Sequence, residues 1–460
     1  MRKTLALLLA AAVLYFVPSH PRSTQSQTLV ATTKFYTVAN PIPNRYIVVL
    51  ATTDLSPVAD AAATPKATTS KSAQASDASA SLAMSPDSSS MSFVAAPAPD
   101  SGVVGTATYL TSTYGGTFSV TWSVAIKGFR LHSTEAQAIA MSGDSKVAFI
   151  TQDGAIAVGT PDTDPIAMSP DPHVGDIPQP NAPWGLDRID QHPLPLNRSY
   201  WYHNDGEGVN AYVIDTGILP THQEFSERAF AIFDALGEGT IGVDCNGHGS
   251  HVAGIIGGRT FGVAKKVRLF SVRVLNCQGT GAWSDVINGV NFVTWHRAQS
   301  AQQGYPALAN MSLGGETNRA ADAAVRNSIR AGVTYIVAAG NGNSDASNYS
   351  PAGVLEAITV GATNDSDARA EFSNYGPTLD LFAPGVFIPS AWIGSDLMFA
   401  YASGTSMAAP HVSGVVALYL QTHRTATPAA VRSALVGTST TGVVSNPGQE
   451  TPNRLLYTEY

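Results

Sequence analysis

Short apolar runs alternate with segments of helical periodicity from Trp184 to the end of the chain, and this alternation limits the fold more than any other feature. The runs cover residues 210–214, 267–274, 333–339 and 358–362, and helical segments lie at 284–297 and 322–331. Strands that alternate with helices form a parallel sheet covered on both faces, so the pattern predicts an α/β domain. Catalytic groups in such folds gather at the carboxyl ends of strands. Asp215 and Asn341 each follow an apolar run, where this rule places a site.

The residues before this domain show a more mixed pattern. Strand-like runs at 45–50, 118–126, 146–150 and 155–158, a helix at 105–113 and a second helix opened by Thr134 and Gln137 as a capping box predict a small α+β domain over 40–160. At 51–100 the sequence is dominated by Ala, Ser, Thr, Asp and Pro, which bury too little surface to offset ordering entropy. We predict a disordered insert there. Seven prolines between Pro161 and Pro183 predict an extended linker, placed at 161–176.

The N-terminus has the pattern of an export signal. Arg2 and Lys3 precede an apolar run of 13 residues from Leu5 to Val17, whereas a membrane-spanning helix needs about 20. We therefore predict a signal peptide over residues 1–19, the alternative being a short anchor that is retained. No later segment is long and apolar enough to span a bilayer. We expect a secreted, extracellular protein with no stable membrane anchor; the periplasm is a second possible destination.

Charge and cysteine content restrict the partners and the cross-links. The net charge is −8, and nucleic acid is held by Lys and Arg that displace counterions, so we expect no nucleic-acid partner. Cys245 and Cys277 are the only cysteines. In an oxidising compartment they can form one disulfide, and two separate buried thiols are the alternative.

Three motifs surround Asp215, His248 and Ser406. They read Val-Ile-Asp-Thr-Gly at 213–217, Asn-Gly-His-Gly-Ser-His at 246–251 and Gly-Thr-Ser-Met-Ala-Ala-Pro at 404–410. A serine hydroxyl becomes a nucleophile when an imidazole takes its proton, and a carboxylate fixes the imidazole tautomer. An apolar helical stretch follows Ser406, which puts the hydroxyl at a helix N-terminus. The chain order Asp, His, Ser is that of the subtilisin triad, so we assign Asp215 as orienter, His248 as base and Ser406 as nucleophile.

Acyl transfer also needs donors for the oxyanion of its intermediate. Ala-Ala-Gly-Asn at 338–341 supplies an amide side chain at the end of a strand. We predict that Asn341 and the backbone N–H of Ser406 form the oxyanion hole.

The serine motif also resembles the nucleophile elbow of α/β-hydrolases. That fold requires an acid and then a histidine after the serine. The acids after Ser406 are Glu450 and Glu459, and both follow the last histidine, His423. The order of residues excludes this alternative.

Zinc catalysis is a second alternative, because His248 and His251 lie three residues apart and could share one helical face. No third ligand lies at a spacing that would indicate a zinc site. We therefore expect no catalytic metal and assign His251 a packed or hydrogen-bonded supporting role.

At these motifs the chain resembles the subtilisin-like serine proteases of the proteinase K and aqualysin branch. The resemblance runs from Pro-Trp-Gly-Leu-Asp-Arg-Ile at 183–189 to Pro-Asn-Arg-Leu-Leu-Tyr at 452–457. It implies a catalytic domain over 177–460, preceded by an inhibitory propeptide that the enzyme removes itself near Asp176 and Ile177. The implied partners are protein or peptide substrates and the chain's own propeptide as intramolecular inhibitor, and we expect a monomer. A binding or scaffold protein of this fold with lapsed chemistry is the alternative, against which the intact triad argues.

The resemblance also implies how substrate is held. Asn-Met-Ser-Leu-Gly at 310–314 and Gly-Thr-Gly-Ala-Trp at 279–283 match the two family strands that sandwich an extended peptide. The implied substrate-binding residues are Gly281, Trp283, Ser312, Leu313, Gly314, Ala338 and Gly340. A primary pocket without charge implies broad preference for apolar and aromatic residues before the cut bond.

The same resemblance implies structural calcium and a disulfide. Asp380 matches the family's calcium carboxylate, with the carbonyls of Leu355 and Ala357 as partners. Asp187, Asp190 and Gln191 resemble a second calcium site of some relatives, and surface acids on loops are the alternative for both sites. Cys245 and Cys277 match one aqualysin disulfide, whereas Ser347 and Thr378 stand where its other pair would be.

Overall fold

The computed structural model describes residues 34–51, 97–168, 177–237, 241–301 and 303–460, which belong to one compact unit. The predicted signal peptide, most of the predicted insert and the second half of the predicted linker lie outside the described residues. The expectations for these segments stay predictions. Within the described ranges, no helix combines the length and the apolar character needed to cross a membrane.

The N-terminal sheet has five strands and carries two helices. Its elements, in chain order, are β1 (Phe35–Tyr36), β2 (Pro41–Leu50), α1 (Ser101–Tyr114), β3 (Thr117–Trp122), β4 (Gly128–His132), α2 (Glu135–Ser142) and β5 (Val147–Ala157). The strand order is β1-β5-β2-β4-β3, and only the pair of β1 and β5 is parallel. Leu110 and Met141 of the helices pack with Val48 and Phe129 of the sheet in one buried cluster. This is the predicted α+β architecture.

Local sequence signals predict the helices on this sheet better than its strands. Thr134 Oγ1 accepts the N–H of Gln137, and Gln137 Oε1 accepts the N–H of Thr134, so the predicted capping box is confirmed. The strands predicted at 146–150 and 155–158 are one strand, β5, because it pairs with β2 from Val147 to Gly154. The sequence pattern predicts one strand at 118–126, where the structure has the shorter β3. It predicts no strand at the position of β4.

The remaining elements alternate as the sequence predicts. The strands are β6 (Ile166–Ala167), β7 (Gln179–Pro180), β8 (Ser199–Tyr200), β9 (Asn210–Asp215), β10 (Ala229–Asp234), β11 (Arg268–Arg273), β12 (Thr280–Ala282), β13 (Ala307–Met311), β14 (Gly315–Glu316), β15 (Thr334–Ala338), β16 (Tyr349–Ser350), β17 (Ile358–Thr363), β18 (Leu381–Pro384), β19 (Ile388–Ala391), β20 (Met398–Ala402), β21 (Thr440–Thr441) and β22 (Arg454–Leu455). The helices are α3 (Trp184–Ile189), α4 (His248–Gly257), α5 (Trp283–Ala301), α6 (Arg319–Arg330), α7 (Thr405–Thr422) and α8 (Pro428–Thr438).

The central sheet has the order β10-β11-β9-β13-β15-β17-β18-β22-β21. Adjacent strands of this sheet pair in parallel from β10 to β22, and the edge strand β21 pairs antiparallel with β22. Successive side chains of β9 point to opposite faces. Val213 packs into the cluster that holds α4 and α7, and Ile214 packs into the cluster that holds α5 and α6. The predicted α/β fold, with helices on both faces of a parallel sheet, is confirmed.

The N-terminal sheet packs against α5 and α6 through the face that its own helices leave open. Ile47 and Trp122 of this face share a buried cluster with Val286 of α5. The side chain of Asn291 accepts the backbone N–H groups of Val124 and Ala125 at 2.9 and 3.1 Å. With the sheet docked in this way, the end of β5 pairs with β12.

The segment after β5 does not behave as a free linker. Strand β6 pairs with β20, and Asp162 donates its backbone N–H to Tyr401 O at 2.7 Å. The prolines of residues 161–168 therefore lie in an extended segment that is held by the hairpin of β19 and β20.

Candidate active site

Asp215 and His248 form a buried pair at the carboxyl end of β9. Asp215 is the last residue of this strand, and His248 is the first residue of α4. Nδ1 of His248 donates to Oδ1 of Asp215 at 2.7 Å. That bond fixes the tautomer in which Nε2 is free to take a proton. Nε2 is buried and has no hydrogen-bond partner among the described residues, and His248 lines a small cavity that Ser406 also lines.

The charge balance around His248 suits a general base. Burial by itself lowers the pKa of His248, but the charge of Asp215, the hydrogen bond to it and the charge of Asp244 together outweigh burial and raise the pKa above 6.5. An imidazolium formed during proton transfer is therefore stabilised by its surroundings.

Ser406 is the second residue of α7, an 18-residue helix. Its hydroxyl donates to the backbone oxygen of Ser312 at 3.0 Å, and the hydroxyl of Ser312 donates to the backbone oxygen of Ser406 at 2.8 Å. These reciprocal bonds tie the start of α7 to the segment that follows β13. The positive end of the helix dipole lies at Ser406, which suits the negative charge that the predicted attack on a carbonyl would develop.

Asn341 follows β15 and is oriented by Thr405. Oδ1 of Asn341 accepts both the backbone N–H and the hydroxyl of Thr405, each at 2.9 Å. Because Oδ1 of the amide is engaged, the amide presents Nδ2 as its donor, which is the atom that the predicted oxyanion role requires. Thr405 was not predicted, and its place directly before Ser406 was the available signal.

Asp244 is a second residue that the sequence reasoning missed. Its carboxylate accepts the hydroxyl groups of Thr216 and Ser250 at 2.9 and 2.7 Å and the backbone N–H groups of Asn246, Gly247 and Ser250. It thereby joins the turn after Asp215 to the start of α4. An acid four residues before a motif histidine was the signal in the sequence.

His251 supports the site from inside α4. Its Nε2 donates to the backbone oxygens of Ile388 and Ala400 at 3.1 and 3.0 Å. Burial, followed by the charge of His248, lowers its pKa to about 3, so the ring is neutral. In the described part of the chain no group of three His, Cys, Asp or Glu side chains gathers as a metal site.

Two backbone edges border the cleft that leads to Ser406. One is β12 and the other is the segment 312–314 after β13. A Cβ added to Gly281 would lie 2.6 Å from Val274 O, and one added to Gly340, where φ is +101°, would lie 2.5 Å from Asn374 Nδ2. Glycine is therefore required at both positions. Trp283 is buried and packs beside Leu313 and Ile156 in one cluster.

A cavity of about 240 Å³ opens beside Ser406. It is bordered by the predicted residues Ser312, Leu313, Gly314, Ala338 and Gly340, together with Asn341 and residues of the segment after β5. None of the described residues that line it is charged. The structure thus brings the predicted pocket residues, except Gly281 and Trp283, to one cavity, whereas these two belong to the neighbouring edge.

Cys245 and Cys277 form a disulfide that spans 32 positions of sequence. Two separate thiols, the alternative that the sequence left open, are thereby excluded. Cys245 lies three residues before His248, so the bond ties the start of the histidine motif to the chain that leads into β12.

Asp380 does not present a free carboxylate for calcium. Its Oδ1 pairs with Arg432 Nε at 2.6 Å, and its Oδ2 accepts the backbone N–H of Thr359 at 2.9 Å. Leu355 is exposed and Ala357 is buried. Calcium would have to displace Arg432 from Asp380, so the residues in this arrangement do not fit the ion.

Of Asp187, Asp190 and Gln191, only Asp190 leaves an oxygen open for a cation, because both carboxylate oxygens of Asp187 accept the backbone N–H groups of Asn197 and Arg198. Oδ1 of Asp190 is buried and has no hydrogen-bond partner in the other residues that the structure describes, whereas Oδ2 accepts the backbone N–H of Trp201. Burial, with a smaller contribution from the charge of Asp187, raises the pKa of Asp190 to about 7. Oε1 of Gln191 accepts Nδ2 of Asn197 at 3.0 Å, so Asp190 Oδ1 is the oxygen of this turn that Ca²⁺ could use directly.

The comparisons with known proteins agree with this geometry. A family model described as "Subtilase family" matches residues 206–455. An "Extracellular serine proteinase" of a Thermus species is 53% identical over 315 residues, which cover 66% of this chain and 75% of the relative. "Alkaline serine exoprotease A" of Vibrio alginolyticus is 45% identical over 333 residues, covering 72% of this chain and 59% of the relative. A solved structure, "Crystal structure of a cold adapted subtilisin-like serine proteinase", has a TM-score of 0.57 at 49% identity and covers 61% of this chain and 99% of that one.

A parallel sheet with a buried Asp–His pair and a serine at a helix N-terminus beside an oxyanion donor defines a serine protease, a hydrolase that acts on peptide bonds. The chain belongs to the subtilase family.

Proposed function

We propose that this chain is a secreted serine endopeptidase, made as a zymogen whose N-terminal sheet inhibits the enzyme until the enzyme cuts itself free. One observation carries the proposal: β5 runs into the cleft and pairs with β12, so the chain that follows β5 lies beside Ser406. A segment bound there as substrate excludes other substrates. The domain boundaries that we propose are those of the sequence: signal peptide 1–19, inhibitory region 40–160, linker 161–176 and catalytic domain 177–460.

The proposed mechanism uses Ser406 as nucleophile, His248 as base and then acid, Asp215 as orienter and Asn341 with the N–H of Ser406 as oxyanion donors. His248 Nε2 takes the proton of the hydroxyl as it attacks, and returns it to the leaving amine. The ester that remains is hydrolysed by water in the same way.

The proposed preference before the cut bond is broad and favours apolar or aromatic side chains. The cavity of about 240 Å³ beside Ser406 has no charged wall, and a charged side chain would lose its hydration there without a partner. A peptide series that differs only at this position tests it, with Phe and Leu expected to exceed Asp and Lys in kcat/KM.

Export is supported by the pattern of the N-terminus and by the name of the Thermus relative, which is called extracellular. We propose structural calcium at Asp187, Asp190 and Gln191, where the orphan carboxylate oxygen supports it, and we expect the mature enzyme to act as a monomer.

The decisive experiment compares the wild type with Ser406→Ala in the same exporting host. The intact mass of each product and its hydrolysis of a peptide are measured. We expect only the wild type to shorten and to hydrolyse the peptide. A wild type that stays long and inactive would instead support the scaffold protein with lapsed chemistry.

A further inference from the structure

We propose that the first bond the enzyme cuts in its own chain is Gly159–Thr160, 17 positions before the site near Asp176 that the family resemblance suggests. The proposal rests on the self-processing proposed above and specifies its bond.

Backbone pairing fixes the register of residues 155–158, which lie before the proposed cut. Residues 155–157 pair antiparallel with β12, with Ala157 opposite Thr280. Ala157 also bridges Gly314 on the other edge of the cleft, and Val158 donates its N–H to Gly279 O at 2.9 Å. The end of β5 is therefore a third strand between the two edges, as in recognition by strand addition.

The two cavities beside Ser406 locate the bond. Both cavities are lined by Gly159, Asn341 and Ser406. Val158 lines only the larger cavity, and Thr160 lines only the smaller one, together with the base His248. Ser406 and Asn341, the proposed nucleophile and oxyanion donor, thus lie beside Gly159. His248, the proposed proton donor to the leaving amine, lies beside Thr160.

The chain after the bond is held as well. Asp162 Oδ2 accepts the hydroxyl of Ser403 at 2.6 Å, and β6 pairs with residues 398–399 of β20. The structure therefore fixes both sides of Gly159–Thr160, and the segment that begins at Thr160 stays paired to the hairpin of β19 and β20 after the cut. A mature start near Ile177 would then need a second cut.

The chemistry of the step balances with the groups present and one water. Ser406 Oγ bonds to the carbonyl carbon of Gly159 and its proton passes to His248 Nε2. The C–N bond to Thr160 breaks as His248 returns the proton to the amine nitrogen. Water then hydrolyses the ester, which frees the Gly159 carboxyl and restores the hydroxyl of Ser406.

Gly159 places no side chain in the larger cavity, which leaves the apolar pocket unused in this first cut. We expect Gly159→Leu to speed the cut by roughly 10-fold or more, because filling an apolar specificity pocket changes kcat/KM by about 10–200-fold per methylene-sized difference.

The test follows the full-length precursor after synthesis and sequences the N-terminus of the first shortened product. We expect Thr160. Thr160→Pro should abolish cutting at this bond, because the proline ring fixes φ and adds carbon atoms to the nitrogen that His248 must protonate, so the segment no longer fits beside Ser406 in the same way. Asp365→Pro is the matched control. It adds a proline to the exposed turn in which Asn364 O accepts the N–H of Asp367, at the second position that proline suits.

A first product that begins at Ile177 or elsewhere would overturn the proposal while leaving the proposed protease intact, provided that the product hydrolyses a peptide. Absence of both cutting and peptide hydrolysis in the wild type would instead contradict the proposed function. Should Thr160→Pro fail to fold, a synthetic peptide of residues 150–168 is given to the mature enzyme. Cleavage at Gly159–Thr160 supports the proposal, and cleavage only at another bond contradicts it.

Discussion

His248 Nδ1 lies 2.7 Å from Asp215 Oδ1, and both side chains are buried at the end of a central strand. Burial opposes a charged imidazole, yet the carboxylate more than compensates, so the pKa of His248 is raised above 6.5. The base must be neutral to act. We therefore expect kcat/KM of the mature enzyme to rise with pH as His248 loses its proton, with a pKa raised from that of an ordinary histidine; a lowered pKa would contradict this.

Asp215→Asn tests the same pair. The amide cannot stabilise the imidazolium and favours the wrong tautomer, so we expect kcat to fall by about 10⁴-fold, as found when a serine protease triad loses its carboxylate. The acid limb should move to lower pH. Unchanged folding by circular dichroism is the control, and a limb that stays in place would show that another group sets it.

Thr405 is a positioning residue for Asn341. Its hydroxyl donates to Asn341 Oδ1 and accepts the N–H of Gly340 at 3.0 Å. We expect Asn341→Ala to lower kcat by about 10²–10³-fold, the loss reported for a subtilisin without this donor. Thr405→Val should lower kcat by about 10-fold or more with little change in KM, because small misplacements of catalytic groups are costly.

Thr405→Ser keeps the hydroxyl and is the matched control. The double variant Asn341→Ala with Thr405→Val should lose little beyond Asn341→Ala alone, since the two act as one unit. Additive losses would show that Thr405 acts independently of the amide.

The disulfide should contribute measurably to stability. Cys245 and Cys277 are 32 positions apart, and closing a loop of this size is worth about 3–4 kcal/mol in the chain-entropy model. We expect the double Ser variant to have a lower urea midpoint, measured in a Ser406→Ala background that prevents self-digestion. The parent should fall to the same midpoint when a reductant is present, and the variant should not respond to it.

Calcium should act through the loop of Asp190. We expect Ca²⁺ to raise the Tm of the Ser406→Ala protein and a chelator to reverse this. Asp190→Asn should lose most of that gain, because the orphan oxygen loses its charge. Glu207→Gln removes one exposed acid elsewhere and should keep the full gain. An equal gain in all three proteins would place calcium at another site.

The N-terminal sheet should inhibit partly through Arg130, which lies 3.1 Å from Asp285 of α5. Arg130→Glu sets two carboxylates against each other across a largely buried contact, so we expect activity to appear at least about 10-fold sooner after the first cut. Adding Asp285→Arg restores opposite charges to this pair but sets a like charge beside Arg45, which lies 3.8 Å from Asp285, so we expect it to restore the delay only in part. No change in the delay would exclude this pair from inhibition.

The sequence predicted the parts of the site that depend on local order. The motifs around Asp215, His248 and Ser406 lie at a strand end and at two helix starts, and each element begins or ends where its motif indicates. The strand β4 and the single strand β5 were not predicted, since strand pairing joins residues far apart in sequence and local patterns do not record it.

Chain order and residue type by themselves determined the α/β class and predicted the triad, whereas they left open whether Cys245 and Cys277 pair. Hydrophobic periodicity and motif order are local properties, and the sequence carries them in full. Only the tertiary structure decided what holds these groups. Thr405 orients Asn341, Asp244 joins two turns, Arg432 occupies the carboxylate of Asp380, and the segment after β5 lies beside Ser406. The physical reason is that each of these contacts depends on distance in space, and folding alone brings such distant residues together.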